Sequence, residues 1–130
     1  MSETIRSLDF MVPGLKTVSE LNQREHRSVK NRRKRDQQLA VAVAMMNALR
    51  GKRIELPCVV KLTRIGPKKM DTGDNLSSAF KGIRDQIARQ LGTDDGGDEV
   101  EFQYAQMPIG SRDYAVKIEI SSQLKTSAGD

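Results

Sequence analysis

Residues 54–62, IELPCVVKL, decide the fold. Ile54, Leu56, Cys58, Val60 and Leu62 give five consecutive matches to a period of two, the repeat that puts alternate side chains on one face of a β-strand. Pro57 interrupts the run and points to an edge position or a bulge, because proline offers the ladder no N–H. Cys58 falls on the apolar phase, so it reads as a buried structural thiol and not a nucleophile. Upstream, Leu39, Val43, Met46 and Leu49 recur at helical spacing. They predict a helix over Arg32–Leu49, with Gly51 as its C-cap and Arg50, Lys52 and Arg53 suiting its negative end. Further upstream, Leu8, Phe10 and Val12 alternate as a first strand that ends at Pro13-Gly14. Downstream, Leu76, Ala79, Phe80, Ile83, Ile87 and Leu91 mark a second amphipathic helix, capped by Asp74 and ended by Gly92. Val100, Phe102 and Tyr104 then alternate, as do Tyr114, Val116, Ile118 and Ile120, most simply an antiparallel hairpin with a long loop through MPIGSRD. The expected fold class is α+β, in the order β-α-β-α-β-β: one domain over residues 1–120 with helices packed on a mixed sheet. A small polar tail, residues 121–130, is expected to fray.

Composition narrows the chemistry. The 130 residues fit one domain. A single cysteine excludes an internal disulfide and any multi-cysteine zinc site. The single histidine, His26, excludes a His-based metal cage and leaves nucleophile–His catalysis little material. No apolar run approaches the roughly 18 residues of a membrane span. The opening MSETIRS has no signal-peptide core, so a cytoplasmic protein with no membrane partner is expected. Any chemistry falls to carboxylates.

Charge is unevenly placed. Residues 24–35 read REHRSVKNRRKR, with seven Lys or Arg in twelve positions. Residues 94–101 read DDGGDEVE, with five acids in eight. A basic block this dense fits phosphate contacts that weaken as salt rises, and a solvated helix face is the plainer alternative. The candidate contacts are Arg24, Arg27, Lys30, Arg32, Arg33, Lys34 and Arg35, joined by Arg64, Lys68 and Lys69 in a basic loop over residues 64–73. Aromatic content is 4% with no Trp, so contacts to backbone and shape fit better than stacking on bases.

Asp71 and Asp74 lie before the second helix, and Asp94 and Asp95 lie beyond its end. Carboxylates grouped without His or Cys suit a hard cation such as Mg²⁺. Spacing alone favours the plainer reading, with Asp74 as a helix cap and Asp94-Asp95 as a charged turn. Lys81 and Asp85 are four apart and can pair. At about 100° per residue, Asp74, Lys81 and Asp85 fall opposite the apolar stripe and point away from the core. Lys81 is then either a solvent-exposed lysine or a cation beside a phosphate.

The run KMDTGDNLSSAFKGIRDQIARQLGTDDGGDEVEF resembles the core of the RusA-type Holliday-junction resolvases, and the resemblance in order and spacing spans about residues 8–120. In that family an acidic D-x-D-N element opens a helix, an Asp-Asp pair follows it, and two strands close the domain. Asp74-Asn75 matches the D-N half, and Asp94-Asp95 matches the second pair. Thr72 stands where the family has its first Asp, with Asp71 one residue further back. Ser78 stands at the position of the family's lysine, with Lys81 about one turn later. The Pro-Pro-Ser-type loop after the first strand is reduced to Pro13-Gly14. The resemblance implies a homodimeric, Mg²⁺-dependent endonuclease that nicks four-way DNA junctions in recombination and repair. Such proteins are often encoded by phages or prophages, which would place this one in the host cytoplasm. It implies Asp74 and Asp95 as metal ligands, Asp71 or Asp94 in support, and Lys81 as the catalytic cation. The alternative is a non-catalytic DNA-binding module on the same fold, its metal site degraded.

Overall fold

Strand β4 (Cys58–Gly66) occupies the middle of the molecule because its alternate residues Cys58, Val60, Leu62, Arg64 and Gly66 all face inward and are buried. The computed structural model describes residues 3–17, 27–70, 74–93 and 98–123. On one side β4 pairs in parallel with β5 (Val100–Pro108), and on the other antiparallel with β6 (Ala115–Ser122). Strand β2 (Ser7–Pro13) adds antiparallel to the far side of β6, so the sheet order is β2-β6-β4-β5. The architecture is α+β, a mixed sheet with helices.

The expected hairpin between the last two strands is not formed, since β4 lies between them. A period of two fixes which face of a strand is buried, and it does not name the neighbour. Parallel pairing of β4 with β5 follows from the helical crossover that joins them. The chain then crosses the end of β4, where Ile109 N–H donates to the Gly66 carbonyl at 2.9 Å and Gly110 N–H to that of Pro67 at 3.3 Å.

Three strand boundaries also move. The run 54–62 is split: Ile54 belongs to β3 (Arg53–Ile54), and β4 begins at Cys58 after the cis Leu56–Pro57 bond. Strand β3 pairs in parallel with β1 (Thr4–Ile5), two-residue strands too short to give a periodic signal. Residues 64–66 continue β4, so the basic loop begins at Pro67. Of the tail expected to fray, residues 121–123 are bound to the sheet, and residues 124–130 lie outside the described residues. Ser122 N–H donates to the Arg6 carbonyl at 2.7 Å and Gln123 N–H to the Pro57 carbonyl at 2.8 Å, which holds residues 121–123 to the sheet.

Helix α1 (Arg27–Leu49) starts five residues before the expected Arg32. Its buried residues are Gln37, Val41 and Met45, whereas Leu39 and Met46 are each 66% exposed and Val43 is 50% exposed. Three of the four residues in the apolar stripe expected from the sequence therefore face outward, while Leu49 packs partly against the core. The inward face combines these buried residues with the small Ala40 and Ala44, and small residues let two helices approach closely. Gln38 Nε2 reaches the Gly82 carbonyl at 3.3 Å, and Gln90 Nε2 reaches the Ala42 carbonyl at 3.3 Å.

The second helix is two helices, α2 (Asp74–Ala79) and α3 (Lys81–Leu91), broken at Phe80 with φ −100° and ψ 4°. Phe80 is fully buried and stacks on Tyr104 with ring centroids 5.7 Å apart. Gly92 ends α3 at φ 80°, the left-handed conformation that glycine adopts without a Cβ penalty.

Cys58 is fully buried, as expected. Burial pushes its thiol up from 9.0 to about 11, so it stays protonated and unreactive near neutrality. The unfolded chain ionises first as pH rises. The thiol's contribution is thus complete below about pH 9 and is lost as pH climbs to about 11. Two units correspond to about 2–3 kcal/mol. Unfolding free energies from urea titrations should fall across that window by about this amount more in the wild type than in Cys58→Val.

Candidate nucleic-acid interface

The N-terminal half of α1 carries the basic block on a rigid scaffold. Arg27, Arg32, Lys34 and Arg35 are exposed there, and Lys30 and Arg33 are half-buried. Arg32 and Arg35 are about 60° apart on the helix by its 100° step, on the outer face. Lys30 and Lys34 lie on the side that meets α3, where they line a cleft with Ser78 and Lys81. Lys68 and Lys69 are exposed just beyond β4.

Arg64 differs from its expected role. It is 6% exposed, on the inward face of β4. Its Nη1 donates to the Lys68 carbonyl at 2.8 Å, its Nε donates to the Thr17 carbonyl at 3.4 Å, and its guanidinium lies 5.7 Å from the centre of the Tyr114 ring. A Cβ on Gly66 would come within 3.0 Å of Nη1, so the glycine leaves room for this group. Arg64 braces the loop that presents Lys68 and is withdrawn from phosphate contact.

Asp74 is the first residue of α2, and Lys81 is the first residue of α3. Arg24, Asp71, Asp94 and Asp95 lie outside the described residues. Among the described residues no three His, Cys, Asp or Glu side chains form a group that could hold a metal ion. Lys81 pairs with Asp85, as the spacing predicts, at 3.8 Å. The same Asp85 oxygen lies 3.8 Å from Lys34 Nζ, a partner from α1 that i,i+4 reasoning does not supply. The expectation that this face points away from the core holds for Lys81, which is exposed, and is corrected for Asp85, which is half-buried against α1.

A second polar cluster is one the sequence does not signal. Arg84 Nη1 donates to Ser77 Oγ at 2.9 Å and to the Tyr104 hydroxyl oxygen at 2.7 Å, with its guanidinium 5.9 Å from the Tyr104 ring centre. Nearby, Gln106 accepts from Met70 N–H at 2.8 Å and donates to the Met70 carbonyl at 2.7 Å. This two-point clamp ties Met70, four residues before α2, to the end of β5. The seven-residue spacing of Ser77 and Arg84 is close to two helical turns, but their meeting with Tyr104 requires the topology.

Compared with known proteins, the chain matches no family model and no curated sequence. Among the described residues no helix is long and apolar enough to cross a membrane.

Proposed function

We propose that the protein is a Mg²⁺-dependent DNA endonuclease of the RusA type, acting on four-way junctions as a homodimer. One observation carries the reading. The basic helix α1 and the acid-bearing helix pair meet in one cleft, where Lys30 and Lys34 stand beside Ser78 and Lys81, a turn or two beyond Asp74. Phosphate-gripping cations on a helix pair whose sequence also carries a DNA-repelling acid make sense with a metal ion between acid and phosphate. Asp74 and Asp95, supported by Asp71 or Asp94, are carboxylates of the type that holds Mg²⁺. When bound, the metal would polarise the phosphodiester and lower the pKa of an attacking water. Arg32 and Arg35 hold the DNA backbone from the outer face of α1, Arg27 adds a contact at its first residue, and Lys81 stands where a cation can meet developing charge. The test is nicking of a synthetic four-way junction with and without Mg²⁺, against linear duplex. Metal-dependent nicking of the junction is expected. Tight junction binding with no nicking under any metal would assign the chain to the DNA-binding-module alternative.

The grip on DNA has its own measurable signature. Replacing Arg32, Lys34 and Arg35 with Ala should weaken binding to every DNA form. The slope of log K against log salt should become shallower by about 0.9 for each phosphate that is no longer neutralised. Weaker binding with an unchanged slope would place the block in folding and not in phosphate neutralisation. Arg64→Ala should do the reverse, lowering the melting temperature and leaving the slope alone, because its partners are the Lys68 and Thr17 carbonyls.

A further inference from the structure

The cleft between α1 and the start of α3 is a cavity of about 210 Å³. That is below the roughly 300 Å³ at which drug-sized ligands begin to fit. Its lining brings three lysines together from separate elements, Lys30 and Lys34 from α1 and Lys81 from α3. Asn31 and Ser78 add neutral polar groups, and no acidic side chain is among its described lining residues. Asp85, at its margin, lies 3.8 Å from both Lys34 Nζ and Lys81 Nζ through one oxygen, which keeps the two ammonium groups within about 7.6 Å of each other. Gly82 lets α1 pack close and brings the Lys34 stem against α3: a Cβ there would meet Lys34 Cγ at 3.0 Å. The first turn of α3 has no side-chain cap and no acidic residue, so its positive end adds to the lysine field.

We propose that this cavity is a socket for a single phosphate group of a nucleic-acid backbone, a deepening that rests on the DNA reading above. Its charge suits a tetrahedral dianion or a diester, its volume leaves room for either with bound water, and no aromatic ring is among its described lining residues. Arg32 and Arg35 on the same helix offer further backbone contacts outside it, which favours a polymer over a free nucleotide. The socket would fix the register of the strand, whereas the outer arginines supply affinity.

The experiment titrates inorganic phosphate into the ¹⁵N-labelled full-length chain, with chloride at matched ionic strength as the control. Saturable shifts confined to the amides of Ser78, Lys81 and Gly82 and their neighbours are expected. They should weaken at least tenfold in Lys34→Ala/Lys81→Ala, and in Lys34→Gln/Lys81→Gln, the second pair guarding against a packing artefact from the first. Small, non-saturating shifts spread over the surface overturn the socket. Duplex and four-way-junction DNA are then added to the phosphate-bound protein. Displacement of phosphate from these amides assigns the socket to the DNA backbone. Saturable phosphate binding that DNA never displaces overturns the backbone assignment, and with it the DNA reading of this cleft. DNA binding that survives both double variants with its affinity intact overturns the socket and leaves the wider DNA reading standing.

Discussion

Phe80→Ala should destabilise the domain by about 3–5 kcal/mol, the range for removing a fully buried aromatic side chain. Among the described residues Phe80 is the largest fully buried side chain, and it sits at the junction of two helices instead of within one. Its ring stacks on Tyr104, whose hydroxyl in turn accepts from Arg84. Its own backbone makes the turn: Phe80 N–H donates to the Ser77 carbonyl at 3.1 Å, and Arg84 N–H donates to the Phe80 carbonyl at 2.7 Å. Truncation therefore leaves a cavity where α2, α3 and β5 converge, and the surrounding chain can close it only by moving a helix junction. A loss of this size is a large share of the roughly 5–15 kcal/mol that holds a small domain together. Urea unfolding reads it as a fall in midpoint with little change in slope. Leu39→Ala, by contrast, should stay within about 0.5 kcal/mol, because Leu39 is 66% exposed. Equal losses from the two variants would contradict the burial pattern.

That contrast marks what the sequence could reveal. Phe80 and Ile83 stand out as core residues because α3 has one apolar face and polar residues elsewhere. Helix α1 is less legible. Its large apolar residues Leu39, Val43 and Met46 lie outward, and the inward face is built from Gln37, Val41, Met45 and alanines. Size and hydropathy point one way there, and the close approach of α1 to Gly82 decides the other. The strands are legible as strands, since β4, β5 and β6 all keep their alternation. Their order is not, because Val60 meets Phe102 on one side and Ile120 on the other, and apolar alternation is the same for either neighbour. At the candidate site, local pairs are readable and distant ones are not. Lys81–Asp85 follows from one helical turn, whereas Lys34–Asp85 and Arg84–Tyr104 join residues that only the crossover brings together. Arg64 misleads because its basic neighbours Lys68 and Lys69 suggest a loop, while its period-two position puts it on the inward face of β4.

Asp74→Asn and Asp95→Asn should each remove junction nicking by at least a hundredfold while sparing junction binding, on the reading that both carboxylates hold the metal. A mixture of the two dead variants carries the sharper expectation. An unbroken helix from Asn75 to Leu91 would separate these positions by about 25 Å. The break at Phe80 shortens the straight run. Helix α3 alone has eleven residues, about 16 Å of rise. At its start Phe80 stacks on Tyr104, and Met70, four residues before Asp74, is clamped to Gln106 two residues further along β5. At its other end Thr93 N–H is tied back to the Ala88 carbonyl at 2.9 Å, and two further residues extend at most about 7 Å. Mg²⁺–oxygen bonds are roughly 2.1 Å, so a metal shared by Asp74 and Asp95 is expected to draw them from different subunits. A two-fold dimer supplies that arrangement twice, by laying the start of one helix pair against the end of the other. In a heterodimer of Asp74→Asn with Asp95→Asn, one composite site then carries both lesions and the other carries neither. Under subunit exchange the mixture should recover about half of the wild-type nicking per heterodimer, on one strand of the junction. If each site is instead built within one chain, every site keeps a lesion, and a mixture with demonstrated heterodimers stays inactive.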